Sequence, residues 1–125
     1  MPTTLRLASR AATVVLLLFG LGITPASAHV SVKSTSPTAG TVRSSPPRSV
    51  SVTFSGPIRG GTLRVVGPHG TTASRGSGGR DPRNVTRLGV DLRSRLGAGR
   101  YTARWSVVAA DGHAEAGLFR FRVRR

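Results

Sequence analysis

No cysteine occurs anywhere in the chain. Disulfides and thiolate metal sites are therefore excluded, and the fold must rest on apolar burial and hydrogen bonds. Acidic side chains are also scarce, with 4 Asp plus Glu against 19 Lys plus Arg. Aromatic residues are few, with one Trp and one Tyr. No basic, aromatic-rich stripe for stacking bases stands out. No long apolar run follows the first 28 residues, so the remainder should be soluble.

Those first residues have the layout of a secretory signal. Arg6 and Arg10 precede an apolar run from Ala11 to Ile23, and Ala26-Ser27-Ala28 is a small-x-small cleavage site. The run falls short of the ~20 residues of a spanning helix. An uncleaved signal anchor is the alternative, against which Pro25 and the Ala-Ser-Ala triplet argue. No Arg-Arg pair precedes the run, which points to ordinary unfolded export. The expected division is a signal peptide over residues 1–28 and a single exported domain over residues 29–125, in the periplasm or cell envelope.

Without Arg6 and Arg10 the processed chain keeps seventeen basic and four acidic side chains, a net charge of +13. Such a charge invites a nucleic-acid reading. However, Arg100 and Arg104 alternate with Tyr101, Ala103 and Trp105, and Arg120, Arg122 and Arg124 alternate with Phe119, Phe121 and Val123. That is the pattern of strands with one solvated face. Weak attraction to anionic membrane or wall polymers is favoured over specific nucleic-acid binding.

The same period of two recurs along the chain. Val30 and Val32 begin a short strand. Val50, Val52 and Phe54 form another, followed by Leu63 with Val65, and by Leu88, Val90 and Leu92. Tyr101, Ala103, Trp105 and Val107 lie on the longest strand, and Phe119, Phe121 and Val123 close the domain. Gly, Pro and Ser clusters separate them, and no sustained helical period follows the signal. The pattern predicts an all-β, immunoglobulin-like Greek-key sandwich of about seven strands. Its expected core is Val50, Val52, Phe54, Leu63, Val65, Leu88, Val90, Leu92, Tyr101, Trp105, Val107, Phe119, Phe121 and Val123. The segment from Gly70 to Arg83 is expected to be a mobile loop.

Cleavage after Ala28 would make His29 the first residue. Its α-amine and Nδ1 could then close a six-membered chelate ring, which no internal histidine can do. The amine's ordinary pKa near ~8 lets a metal displace its proton at neutral pH. Further on, Asp111-Gly112-His113 offers a carboxylate and a second imidazole two residues apart. If locally extended, the two would share a face. Three nitrogens and one oxygen suit tetragonal Cu(II), with zinc the main competitor. Against this stands the plain alternative that Asp-Gly is a common hairpin turn dipeptide and that Ala109 to Ala116 must turn in any case. His69, in Gly-Pro-His-Gly, reads as an exposed turn residue, and Glu115 as an outer partner of His113 or a turn charge.

Together these residues resemble the CopC family, the periplasmic copper-binding domain of bacterial copper resistance systems. The resemblance covers nearly all of His29 to Arg125. It rests on His29 at the processed terminus, Ser36-Pro37-Thr38-Ala39-Gly40, Pro47, Val50, Val52, Phe54-Ser55, Gly99, Tyr101, Trp105, Val107, Asp111-Gly112-His113, Gly117, Phe119 and Phe121. It implies a small Greek-key sandwich binding one Cu(II) ion per mature chain through His29, Asp111 and His113. It further implies copper sequestration, or delivery to a membrane copper transporter, and no enzymatic activity. Two departures are visible. The only methionine is Met1, so no thioether Cu(I) site is expected after processing. Gly56 stands where many members carry an acidic residue after the Phe-Ser pair. A partner similar to CopD, the family's membrane copper-uptake protein, would be a separate chain. Two rival classes remain open: a copper monooxygenase with an N-terminal histidine, and a metal-free sandwich that binds cell wall through its charge.

Overall fold

The computed structural model describes residues 29–125. The expected signal segment, residues 1–28, lies outside the described residues. Eight strands form two four-stranded sheets. The first sheet runs β1 (Val32–Ser36), β3 (Ser49–Phe54), β6 (Asn84–Asp91) and β5 (Gly79–Asp81), all antiparallel. The second runs β2 (Val42–Arg43), β8 (Ala114–Val123), β7 (Gly99–Ala109) and β4 (Ile58–Val66), with β2 parallel to β8. The all-β Greek-key-like sandwich is the architecture that the alternating sequence predicts.

The alternation places the core. Val50, Val52 and Phe54 of β3 and Leu88 and Val90 of β6 point inward from one sheet. Leu63 and Val65 of β4, Tyr101, Ala103 and Val107 of β7, and Phe119, Phe121 and Val123 of β8 meet them from the other. Each Val, Leu or Phe among them contributes about 1.5–3 kcal/mol when fully buried. Tyr101 stacks on Phe121 with ring centroids 5.3 Å apart, and its hydroxyl donates to the carbonyl of Gly97. This tyrosine corner ties the turn before β7 to the core. Burial raises the Tyr101 phenol above its ordinary pKa.

Three local expectations are corrected. Trp105 is only partly buried. Its indole lies over Gly117, its cross-strand partner, and meets Phe54 edge-on at 5.0 Å. Ile58, Ala73 and Ala109 at 1% exposure, Ala103 at 0% and Val30 at 7% join the core; short or isolated apolar residues carry little periodic signal. The Gly70–Arg83 segment is laced to both sheets. Thr72 bridges Val66 and Ser74 bridges Leu92. The Ser74 hydroxyl accepts from the Val65 N–H at 3.1 Å, and β5 pairs with β6. Its backbone thus finds partners that its few apolar side chains did not announce.

Candidate metal centre

One end of the sandwich gathers the singled-out residues. His29 lies three residues before the start of β1. Val30, 7% exposed, anchors it in the core. Ser31 is pinned to the end of β3: its N–H donates to Ser55 Oγ at 2.9 Å, and its carbonyl accepts from the Ser55 N–H at 2.8 Å. The Asp111-Gly112-His113 triplet forms the turn between β7 and β8. There the Gly112 N–H donates to the Ala109 carbonyl at 2.9 Å, and the Ala109 N–H donates to the His113 carbonyl at 2.8 Å. Gly112 has φ +92°, a conformation that glycine adopts without strain. The Ala110 N–H donates to the Pro57 carbonyl at 3.2 Å, which fixes the turn beside the β3–β4 connection. A shallow depression of about 230 Å³ lies between His29, Val30, Ser55, Pro57, Ala110 and Asp111.

Asp111 and His113 are brought together by an Asx turn, not by an extended strand as the spacing suggested. Asp111 Oδ1 accepts from the His113 N–H at 3.0 Å, while Oδ2 lies 2.8 Å from His113 Nδ1. The backbone N–H of His113, then its side chain, hold the Asp111 carboxyl below its ordinary pKa. An ionised carboxylate only accepts, so Nδ1 is the donor in this contact, and in the neutral ring the lone pair then lies on Nε2. A carboxylate behind an imidazole is the arrangement that orients histidine ligands toward metals.

His29 and His113 face each other across the rim, with ring centroids 5.9 Å apart and planes at 54°. Two imidazoles bound to one ion, each at about 2 Å from the metal, have centroids about 4.5–6 Å apart, depending on the angle at the metal. The spacing therefore fits a shared ion. The donor atoms do not yet converge. Nδ1 of His29 lies 3.3 Å from Glu115 Oε1, and Nδ1 of His113 faces Asp111. Among the described residues no three His, Asp or Glu side chains are grouped as a ready metal cluster. In the unprocessed chain the His29 nitrogen is a peptide amide, so an amine donor exists only after cleavage. Both imidazoles are about two-thirds exposed, open to an incoming ion.

The sequence offers Glu115 as an outer partner of His113 or a turn charge; the structure places it against His29. The available signal was its parity with Phe119 and Phe121, which turns Glu115 toward the inner face of β8 and so toward the first sheet. His69 is exposed in a short 3-10 turn (Pro68–Gly70) with φ +60°, as its glycine-proline context predicts.

Comparison with known proteins agrees with this architecture. Several solved structures share the fold. CopC from Methylosinus trichosporium OB3b aligns with TM-score 0.63 at 22% identity, over 76% of this chain and 93% of that one. The methionine-rich copper resistance protein PcoC from Escherichia coli aligns with TM-score 0.61 at 26% identity, over 78% and 100%. Its selenomethionine form gives TM-score 0.60 at 21% identity, over 75% and 99%. No curated protein sequence matches this one. The family model of the CopC domain matches residues 32–124, which include Asp111 and His113 and begin just after His29. By that match the chain belongs to the CopC domain family.

Proposed function

We propose that the protein is exported, is cleaved after Ala28, and binds one Cu(II) ion per mature chain at the His29–His113 rim, as part of copper resistance or homeostasis. The observation that carries this reading is the approach of His29 to the Asp-Gly-His turn in a member of the CopC family. It is supported by the likeness to PcoC, described as a copper resistance protein. In this reading the freed amine and Nδ1 of His29 chelate the ion, His113 supplies Nε2, and Asp111 completes the donor set. His29 Nδ1 exchanges Glu115 for the metal. Three nitrogens and an oxygen favour Cu(II) over its divalent competitors. Copper is cargo here, held for sequestration or for transfer to a separate CopD-like membrane transporter, and no catalytic step is invoked.

The test is a Cu(II) titration, followed by electron paramagnetic resonance, of the chain beginning at His29 and of the same chain carrying one added glycine. The native terminus should show a one-to-one complex with a three-nitrogen, one-oxygen signature. The extension should abolish that signature and weaken binding. Equal affinity and an unchanged spectrum in the extended form would overturn the chelate, as would a mature product that starts elsewhere.

A further inference from the structure

The outer face of the second sheet collects arginines and no acids. Arg100 pairs directly with Arg122, and Arg104 with Arg64, while Arg120 stands opposite Thr102. All five arginines are exposed. None of them has a salt bridge; among the described residues only Arg87, on the other sheet, has one. Like charges directly opposite on a sheet are destabilising, so this face carries an uncompensated repulsion. The chain's four acids lie elsewhere. Asp81 and Asp91 belong to the first sheet, and Asp111 and Glu115 to the candidate metal rim.

The geometry points to this face as a docking surface for an anionic phospholipid membrane. Guanidinium groups spread over one face of a hydrogen-bonded sheet match an extended layer of phosphates better than a single small anion. Between the arginines stand exposed aliphatic side chains, Leu118 at 40% and Val42 at 58%. A shallow depression of about 280 Å³ between Val42, Arg100, Arg120 and Arg122 has room for a phosphate headgroup. No aromatic side chain occupies an outward position of β7 or β8, so base stacking, the main device of single-strand binders, is missing. The face has no helix or ribbon to enter a duplex groove.

Docking would also orient the site. The arginines cluster toward the Arg100–Arg122 end of the hairpin. The Asp111–His113 turn closes its other end, beyond Val108 and Ala114. A chain lying on this face would keep His29 and His113 at the edge of the contact, free for exchange with the membrane plane. Nothing in the docking itself depends on copper.

The test is co-sedimentation of the exported, processed protein with vesicles of phosphatidylglycerol and phosphatidylcholine, compared with phosphatidylcholine alone, at low and at ~150 mM salt. Binding should require the anionic lipid and weaken as salt shortens the Debye length. The triple variant Arg104→Gln, Arg120→Gln, Arg122→Gln should lose about a hundred-fold in partitioning, from the usual contribution of each basic residue at an anionic surface. The variant Arg48→Gln, Arg83→Gln, Arg93→Gln removes equal charge from outside this face and should retain most of the binding. Circular dichroism and thermal melts verify that both variants fold, and the first should melt no lower than the parent because it relieves repulsion. Equal loss in the two variants would overturn the proposal, showing that net charge alone acts. So would the absence of anionic-vesicle binding, or tighter binding to an acidic peptide or DNA through the same arginines.

Discussion

Replacing Asp111 with asparagine tests the geometry at its most specific point. Asn keeps a carbonyl oxygen to accept the His113 N–H, now at 3.0 Å, and asparagine supports Asx turns as aspartate does. The turn should therefore persist. The second contact inverts. An amide NH2 would face His113 Nδ1 across the present 2.8 Å, and two donors cannot share that space. Nδ1 must give up its proton and accept, which moves the hydrogen to Nε2, the nitrogen needed for metal. Loss of a carboxylate behind a ligating histidine typically costs 10–100-fold in metal affinity, and because Asp111 also completes the proposed donor set, a loss of at least about that range is expected here. The assay pairs a competitive Cu(II) titration with nitrogen-15 shifts of the His113 ring in the metal-free protein. The Asp111→Asn protein should bind more weakly and report the Nε2–H tautomer. Unchanged affinity with an unchanged tautomer would refute the orienting role. Weakened affinity with the original Nδ1–H tautomer would refute it as well, leaving Asp111 as a direct ligand only.

Two further outcomes follow from local geometry. A Cβ at Gly117 would stand 2.5 Å from Trp105 Cζ2 and 2.8 Å from Cε2. Gly117→Ala should therefore displace the indole from Phe54, cost about 1–3 kcal/mol as overpacking does, and change Trp105 fluorescence; an unaltered emission spectrum and melting temperature would contradict the packing. Because the Asp111 carboxyl is held below its ordinary pKa in the fold, its support of the turn is present above the usual aspartate range and lost as pH falls through the lowered value. The His113 amide shift should track this in an acid titration, with a midpoint below about 3.9, and a midpoint at or above that value would show that the contact is not made.

Much of the fold was legible because alternation is local. Val50-Ser51-Val52-Thr53-Phe54 and Phe119-Arg120-Phe121-Arg122-Val123 announce which side chains turn inward without reference to any partner. The Asp-Gly pair announces the β7–β8 turn through backbone preference alone. Ile58 was not visible in this way, since Arg59, Gly60 and Gly61 follow it and it begins no periodic run. The Gly70–Arg83 segment misled for a related reason. Its order comes from backbone bonds of Ala73 with Val65 and Arg93, of Arg75 with Asp91 and of Ser77 with Leu63, and composition does not record those.

The candidate site divides along the same line. His29, Asp111 and His113 stood out by residue type and by a cleavage motif, and Asp111 with His113 is a local pair that two residues of chain can build. The meeting of His29 with Glu115 and His113 spans more than eighty residues of sequence. The arginine face is also assembled by tertiary pairing, since Arg64 meets Arg104 only where β4 lies beside β7. The chain alone settled which residues point to which side of each strand, because the backbone pleat has a period of two. Tertiary structure decided which of them become neighbours, because strand register and the stacking of two sheets depend on the whole core and cannot be read from any single segment.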